Sequence, residues 1–323
     1  MSVFGVKFTS ELIEAVKRRA FLPDAQETLT DQDILAFLNE EMYDSVLPLI
    51  MQFHEEYLTY VETVPLATNQ NNYKIPYRAV GRKLRDVKYM DDQNNVYNMT
   101  RILPEDRSYF QETGFNPYKA FYFQGDELIL APGVGETPRG HLYYIYWLRP
   151  NQLVLENRTA QITSFDTTTG VIGLTKFPTN FTLGSNVDFI KYLPGNKLIN
   201  YDIPIIAVDP VLKTITIDPA ELTEPFNQPD MPQIQDFVAT AGESPVVQIP
   251  SELHSLLAER GCARCLASLG HTENLNNSDK KIQELELKSG SLIDNRSEGE
   301  PQKLNNLNSL LRASKISRRR FFF

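Results

Sequence analysis

Apolar residues near the start of the chain recur at three- and four-residue spacing. Ile34, Leu38, Met42, Val46, Leu49 or Ile50, Phe53, Tyr57 and Tyr60 share this period, which predicts one apolar helix face. Thr30 sits where it can cap that helix, with Asp33 three residues on as the reciprocal partner. Pro48 falls inside the pattern and should kink the helix or split it in two. Leu12, Ile13 and Val16 predict an earlier, shorter helix over 10–19, closed by Pro23. The same period returns after Pro250. Ser251 is a candidate cap, and Leu253, Leu256, Leu257, Cys262, Cys265, Leu266 and Leu269 line one side until Gly270 stops the helix. A last helix, over 277–293, would present Ile282, Leu285, Leu292 and Ile293.

Between these flanks the period shortens to that of strands. Residues 84–90 and 96–100 flank the polar turn 91–95, and 121–123 and 128–130 flank a second turn, 124–127, so both read as hairpins. Residues 141–148 form an aromatic strand holding Tyr143, Tyr144, Tyr146 and Trp147. Further pairs are expected at 160–165 with 171–174 and at 205–208 with 213–217, and 187–192 adds another strand. Many short strands at this spacing predict small sheets or a barrel. All but Pro23, Pro48 and Pro301 of the 20 prolines lie between Thr63 and Pro250, where helix interiors are not expected. The fold class that follows is α+β: a helical bundle built from both chain ends, interrupted by a long β-rich insertion. The expected divisions are helical residues 1–62, a β-rich 63–249 with lobes at 63–150 and 151–249, helical residues 250–295 and an extended tail, 296–323.

Composition narrows the function classes. At 323 residues, 41 % hydrophobic and 23 % charged, the chain is ordinary globular material, not globally disordered. No apolar run approaches the length needed to span a bilayer, so no membrane partner is expected, and no secretory leader is recognisable at the start. Two cysteines exclude a disulfide scaffold and suit a reducing cytoplasm. The net charge of −9 argues against a surface that grips nucleic acid throughout. That charge is unevenly spread. Arg312, Lys315, Arg318, Arg319 and Arg320 give residues 312–323 a charge of +5 with no acid, against −14 for the rest.

Sequence patterns that would carry chemistry are incomplete. Cys262 and Cys265 have the spacing of half a zinc site, but there is no second pair and they fall mid-helix, so they read as small buried thiols. His54-Glu55-Glu56 lacks a second histidine at 58. Gly133-Val134-Gly135 is followed by Pro138 and forms no phosphate loop, and Gly242-Glu243-Ser244 lacks the closing glycine of a nucleophile elbow. The expectation is therefore no enzyme, no catalytic or metal residues and no cofactor. Arg78, Arg82, Lys83, Arg85 and Lys88 form the densest basic run outside the tail. They read either as a solvated strand edge or as contacts to a phosphate backbone or an acidic partner.

Residues 29–89, 187–205 and 238–270, trailed by 304–315, together resemble the head-to-tail connector (adaptor) proteins of tailed bacteriophages, the ring docked beneath the portal. The resemblance implies a helical bundle interrupted by a β-rich insertion and a homo-oligomeric, twelve-fold ring at the head–tail junction of the virion, made in the host cytoplasm. Its implied partners are the portal protein, downstream tail or neck proteins, and double-stranded DNA passing without sequence readout. An acidic ring suits such passage, because carboxylates repel phosphates. The tail is then the expected portal-docking segment: Arg312, Lys315, Arg318, Arg319 and Arg320 for carboxylates, Phe321, Phe322 and Phe323 for an apolar groove. The competing expectation is a basic-tailed accessory protein that binds nucleic acid.

Overall fold

Helix α1 (Thr9–Ala20) buries Leu12, Ile13 and Val16 and ends where Phe21 turns left-handed. These and all later assignments come from a computed structural model, which describes residues 7–22, 29–107, 120–131, 140–192, 197–222 and 231–293. Helix α2 (Asp31–Glu41) starts at the expected cap. The Asp33 N–H donates to Thr30 Oγ1 at 3.2 Å, and the Thr30 N–H donates back to the Asp33 carboxylate at 2.8 Å. Pro48 acts through the turn before it. Residues Met42–Val46 form a π-turn, in which the Leu47 N–H reaches back to Met42 O, and α3 (Leu47–Phe53) follows with Pro48 in its first turn. There the missing N–H costs no helical bond.

The helix face expected to continue through Tyr57 and Tyr60 stops at Phe53. His54 leaves helical geometry, Glu55–Leu58 is a single 3₁₀ turn, and Tyr60 lies in strand β1 (Thr59–Pro65). The β-branched residues Thr59, Val61, Thr63 and Val64 favour the pleated conformation, and helical spacing of two tyrosines does not override them. Near the other end, Ser251 opens a 3₁₀ turn instead of capping a helix, and α4 (His254–Ser268) begins without a side-chain cap. Helix α5 (Thr272–Ile293) starts five residues before the expected point. Ile282 and Leu285 pack inward from it, but Leu292 is 69 % exposed and leaves the expected face. Helices from both ends share one core, including Leu12, Val16, Leu38, Met42, Leu257 and Cys265. Gly261 permits the close approach: a Cβ there would lie 2.7 Å from Leu38 Cδ2.

The β-rich middle has two parts. In the first, β1 pairs along its length with β8 (His141–Leu148), from Thr59 opposite Trp147 to Pro65 opposite His141. Strand β3 (Ala79–Met90) lies on the far side of β8 and carries β4 (Val96–Asn98), giving the order β1-β8-β3-β4. A second sheet, β2-β7-β6-β5, uses Asn72–Lys74, Glu127–Ala131, Ala120–Gln124 and Thr100–Arg101. The two sheets share a core in which Leu128 and Leu130 meet Leu142, Tyr144 and Tyr146. Both predicted hairpins are present, as β3–β4 and β6–β7.

The chain then runs through β9 (Gln152–Leu153) into a closed six-stranded barrel. Its strands are β10 (Ala160–Phe165), β11 (Val171–Leu174), β12 (Asn186–Ile190), β13 (Leu198–Asp209), β14 (Thr214–Ile217) and β15 (Phe237–Thr240), in the closed order β10-β11-β14-β13-β12-β15. Ile172, Val187, Phe189, Ile215 and Val238 fill it. Strand β16 (Glu243–Ser244) leaves the barrel parallel to β9, so the chain enters and exits side by side. Asn39 of α2 reads this junction, accepting from the Leu153 N–H at 2.8 Å and donating to Leu153 O at 3.0 Å.

Candidate functional site

The basic run is dispersed by the fold. Arg78, at the start of β3, is 5 % exposed and points inward, which removes it as a phosphate contact. Gly81 and Arg82 both take positive φ, and the β3–β8 register shifts between Ala79 and Leu84. This bulge swings Arg82 onto Asp126 in the β6–β7 turn. Arg85 lies 3.5 Å from Glu55 and 3.7 Å from Glu56. Lys83 and Lys88 make no ion pair among the described residues. Three of the five cations are therefore held by carboxylates, and the run is not one continuous basic face. The tail residues Arg312, Lys315, Arg318, Arg319, Arg320, Phe321, Phe322 and Phe323 lie outside the described residues.

Arg78 organises the densest polar cluster, where sheet, barrel and the β9–β16 crossing meet. Its Nη1 and Nη2 donate to the two Asp188 oxygens at 2.8 and 3.0 Å, a bidentate pair. Asp188 is fully buried on β12 and also accepts from Asn151 Nδ2 at 2.7 Å, Gly242 N–H at 2.9 Å and Asp202 N–H at 3.0 Å. Five donors thus converge on one carboxylate. Burial opposes the Arg78 charge, but Asp188 and the hydrogen bond to Tyr77 outweigh it and push the guanidinium pKa up. The Arg78 guanidinium also lies 5.0 Å from the centre of the Tyr201 ring. Removing Arg78 would leave the Asp188 carboxylate buried without a cation, whereas removing Asp188 would leave Arg78 only the more distant Asp202, 3.5 Å away.

Beside this node, Glu62 of β1 accepts from Tyr146 Oη at 2.8 Å and Tyr201 Oη at 2.6 Å. The two phenol oxygens are 2.5 Å apart. Burial, then the Glu62 charge, push the Tyr201 pKa far up; burial, then Tyr201 and Glu62, do the same to Tyr146. Both phenols therefore stay protonated donors at neutral pH. A cleft of about 320 Å³ opens here, lined by Glu62, Tyr77, Tyr201, Asp202 and Glu221.

The remaining titratable clusters are constrained in the same way. Burial raises Cys262 to about 11 and Cys265 to about 12, so neither is a thiolate at neutral pH. Burial also lowers His254 to about 4, leaving its neutral ring 3.2 Å from Ile249 O. Glu41 joins α2 to α4 through Arg260 at 3.1 Å and Arg264 at 2.5 Å. Burial alone would raise Glu41, but the hydrogen bonds of Arg264 and Ser45 hold it below the usual carboxylate range. Among the described residues, no group of three or more His, Cys, Asp or Glu could hold a metal ion, and no helix is long and apolar enough to cross a membrane.

The Arg78–Asp188–Asn151 node lay beyond the reach of residue patterns, although one signal pointed to it. Asp188 interrupts the apolar run Val187, Phe189, Ile190, where a charge is tolerated only if paired. The sequence does not identify that partner, which lies 110 residues away. No protein-family model matches the chain, and no curated protein matches it either.

Proposed function

We propose that the chain is a virion structural protein, a ring-forming head-to-tail adaptor that docks on the portal and joins the capsid to the tail, with DNA passing through. The observation that carries this reading is the closure of one helical body from both chain ends around a β-rich insertion, the arrangement the resemblance implies. Two electrostatic features support it. The chain carries −9 overall, and Arg78, Arg82 and Arg85 are engaged by carboxylates, which suits a wall along which a duplex slides. The work of such a protein is binding, and no catalytic residues are assigned. Its ring requires two complementary side faces, since a head-to-tail contact closes only by rotation.

Size-exclusion chromatography and electron microscopy of the chain mixed with its portal protein test this reading. A ring bound to the portal is expected, and a variant lacking residues 312–323 should lose that binding. A truncated chain that still binds the portal would remove the tail from the docking role. Tail-dependent DNA affinity that falls steeply between low and moderate salt, without portal binding, would favour the nucleic-acid accessory protein instead.

A further inference from the structure

Strand β1 ends its sheet: β8 pairs with one side of it, and no strand pairs with the other among the described residues. The register identifies the backbone groups left over. The Leu66 N–H donates to Gly140 O at 3.4 Å, one step beyond the Pro65–His141 pair in the same register. Antiparallel partners alternate between bonded and non-bonded pairs, so Tyr60, Glu62 and Val64 are the residues that bond to β8. The N–H and C=O of Val61 and Thr63 therefore point away from β8, and they meet no hydrogen-bond partner among the described residues.

The cleft of about 320 Å³ beside Glu62 runs along this edge. Successive residues line it from both strands, Tyr60 to Thr63 of β1 and Asn200 to Ile203 of β13. Over that stretch β13 is bonded to β12 alone, since its pairing with β14 starts at Ile205. The charged lining is of one sign: Glu62, Asp202 and Glu221, with no lysine, arginine or histidine among the described residues. Glu62 receives two neutral phenol donors, and neither it nor Glu221 makes an ion pair among the described residues. Asp202 lies 3.5 Å from Arg78, whose guanidinium is already committed to Asp188. Tyr77, 58 % exposed, offers its ring to the same cleft.

We propose that the free edge of β1 is a strand-addition site for an extended segment of a partner protein that carries an arginine. Main-chain bonds to Val61 and Thr63 hold the segment. Side-chain alternation puts its arginine on the Glu62 face of the sheet, over the cleft. There the guanidinium meets carboxylates and the Tyr77 ring, two surfaces that suit a planar cation. An unbonded edge alone would accept any strand, whereas the uncompensated carboxylates select a cationic one. The proposal goes beyond the adaptor reading and does not depend on it, since the test needs only the chain and a peptide.

The probe is the acetylated, amidated pentapeptide Thr-Val-Arg-Val-Thr. It is compared with a citrulline twin, which removes the charge, and with a twin N-methylated at its three central residues, which removes main-chain donors. Calorimetry reads binding, and residue-resolved hydrogen exchange of the chain reads its place. Saturable millimolar binding is expected, with slower exchange at the Val61 and Thr63 amides and little change at Tyr60 and Val64. The citrulline twin should bind roughly fivefold more weakly, and the N-methylated twin not at all. Asp202→Asn combined with Glu221→Gln should cost the arginine peptide a similar factor and the citrulline twin nothing. Asn tolerates the positive φ of 60° at position 202. Val61→Pro removes an outward donor but no bond to β8, and should weaken binding roughly tenfold. Absence of saturable binding would overturn the proposal, as would unchanged exchange at Val61 and Thr63 in the bound chain. Equal affinity for the arginine peptide and either twin would also overturn it. Concentration-dependent protection of both amides without peptide would assign the edge to a second copy of the chain and overturn the partner segment.

Discussion

The helical body gathers α1 and α2 from one side of the insertion and α4 and α5 from the other. Arg19 donates to Ser255 O across 236 positions, and Thr9 reaches Pro245 O across the same separation. The barrel instead takes all six strands from residues 160–240, most of them joined to neighbours in sequence. Closing a long loop costs conformational entropy before its contacts repay it. The barrel can therefore form early and locally, whereas the helical body waits for the middle of the chain to bring its halves together. The Arg78–Asp188 pair ties the barrel to the sheet that holds β3, and the Asn39–Leu153 bonds tie the helical body to β9, where the chain enters the barrel.

The pair at the junction offers the harshest test. Arg78→Met should cost about 3–5 kcal/mol in urea unfolding, because Asp188 is left buried without its cation. Adding Asp188→Leu should recover much of that loss; no recovery would mean that the pair does more than neutralise itself. The two cores can then be separated. Leu257→Ala in α4 and Ile215→Ala in β14 should each cost about 2–5 kcal/mol. In native-state hydrogen exchange, Leu257→Ala should leave the barrel amides the slowest to exchange. Equal acceleration in both regions would show that the barrel has no stability of its own.

A further effect, of comparable size, concerns pH and is confined to the helical side. His254 titrates at about 4 in the folded chain, against about 6.5 when unfolded. The unfolded chain binds the extra proton first, so stability falls as pH drops from about 6.5 towards 4. The loss amounts to about 3 kcal/mol. Unfolding at both ends of that range should show this slope, and His254→Gln should flatten it.

Local chemistry made much of the architecture readable beforehand. The Thr30–Asp33 cap, the stop at Gly270 and the turn-flanked hairpins each depend on residues within a few positions of one another. Errors arose where tertiary context decided the outcome. Tyr57 and Tyr60 kept helical spacing but were drawn out by the pairing of β1 with β8, and Leu292 fell on the solvent side of α5. The basic run was visible as composition, yet a two-residue bulge at Gly81 and Arg82 and a carboxylate on β12 determined where its members went.

Closure of the barrel also bears on how safely the protein can be concentrated. A ring of joined strands offers no row of unpaired backbone groups on which a second chain could template itself. The two open sheets end on β4, β2 and β5, of two or three residues each, and on β1, which finishes in Pro65. Among the described residues β1 is the longest strand at the end of either sheet, so aggregation on heating should begin along 59–65, and Val61→Lys should delay it.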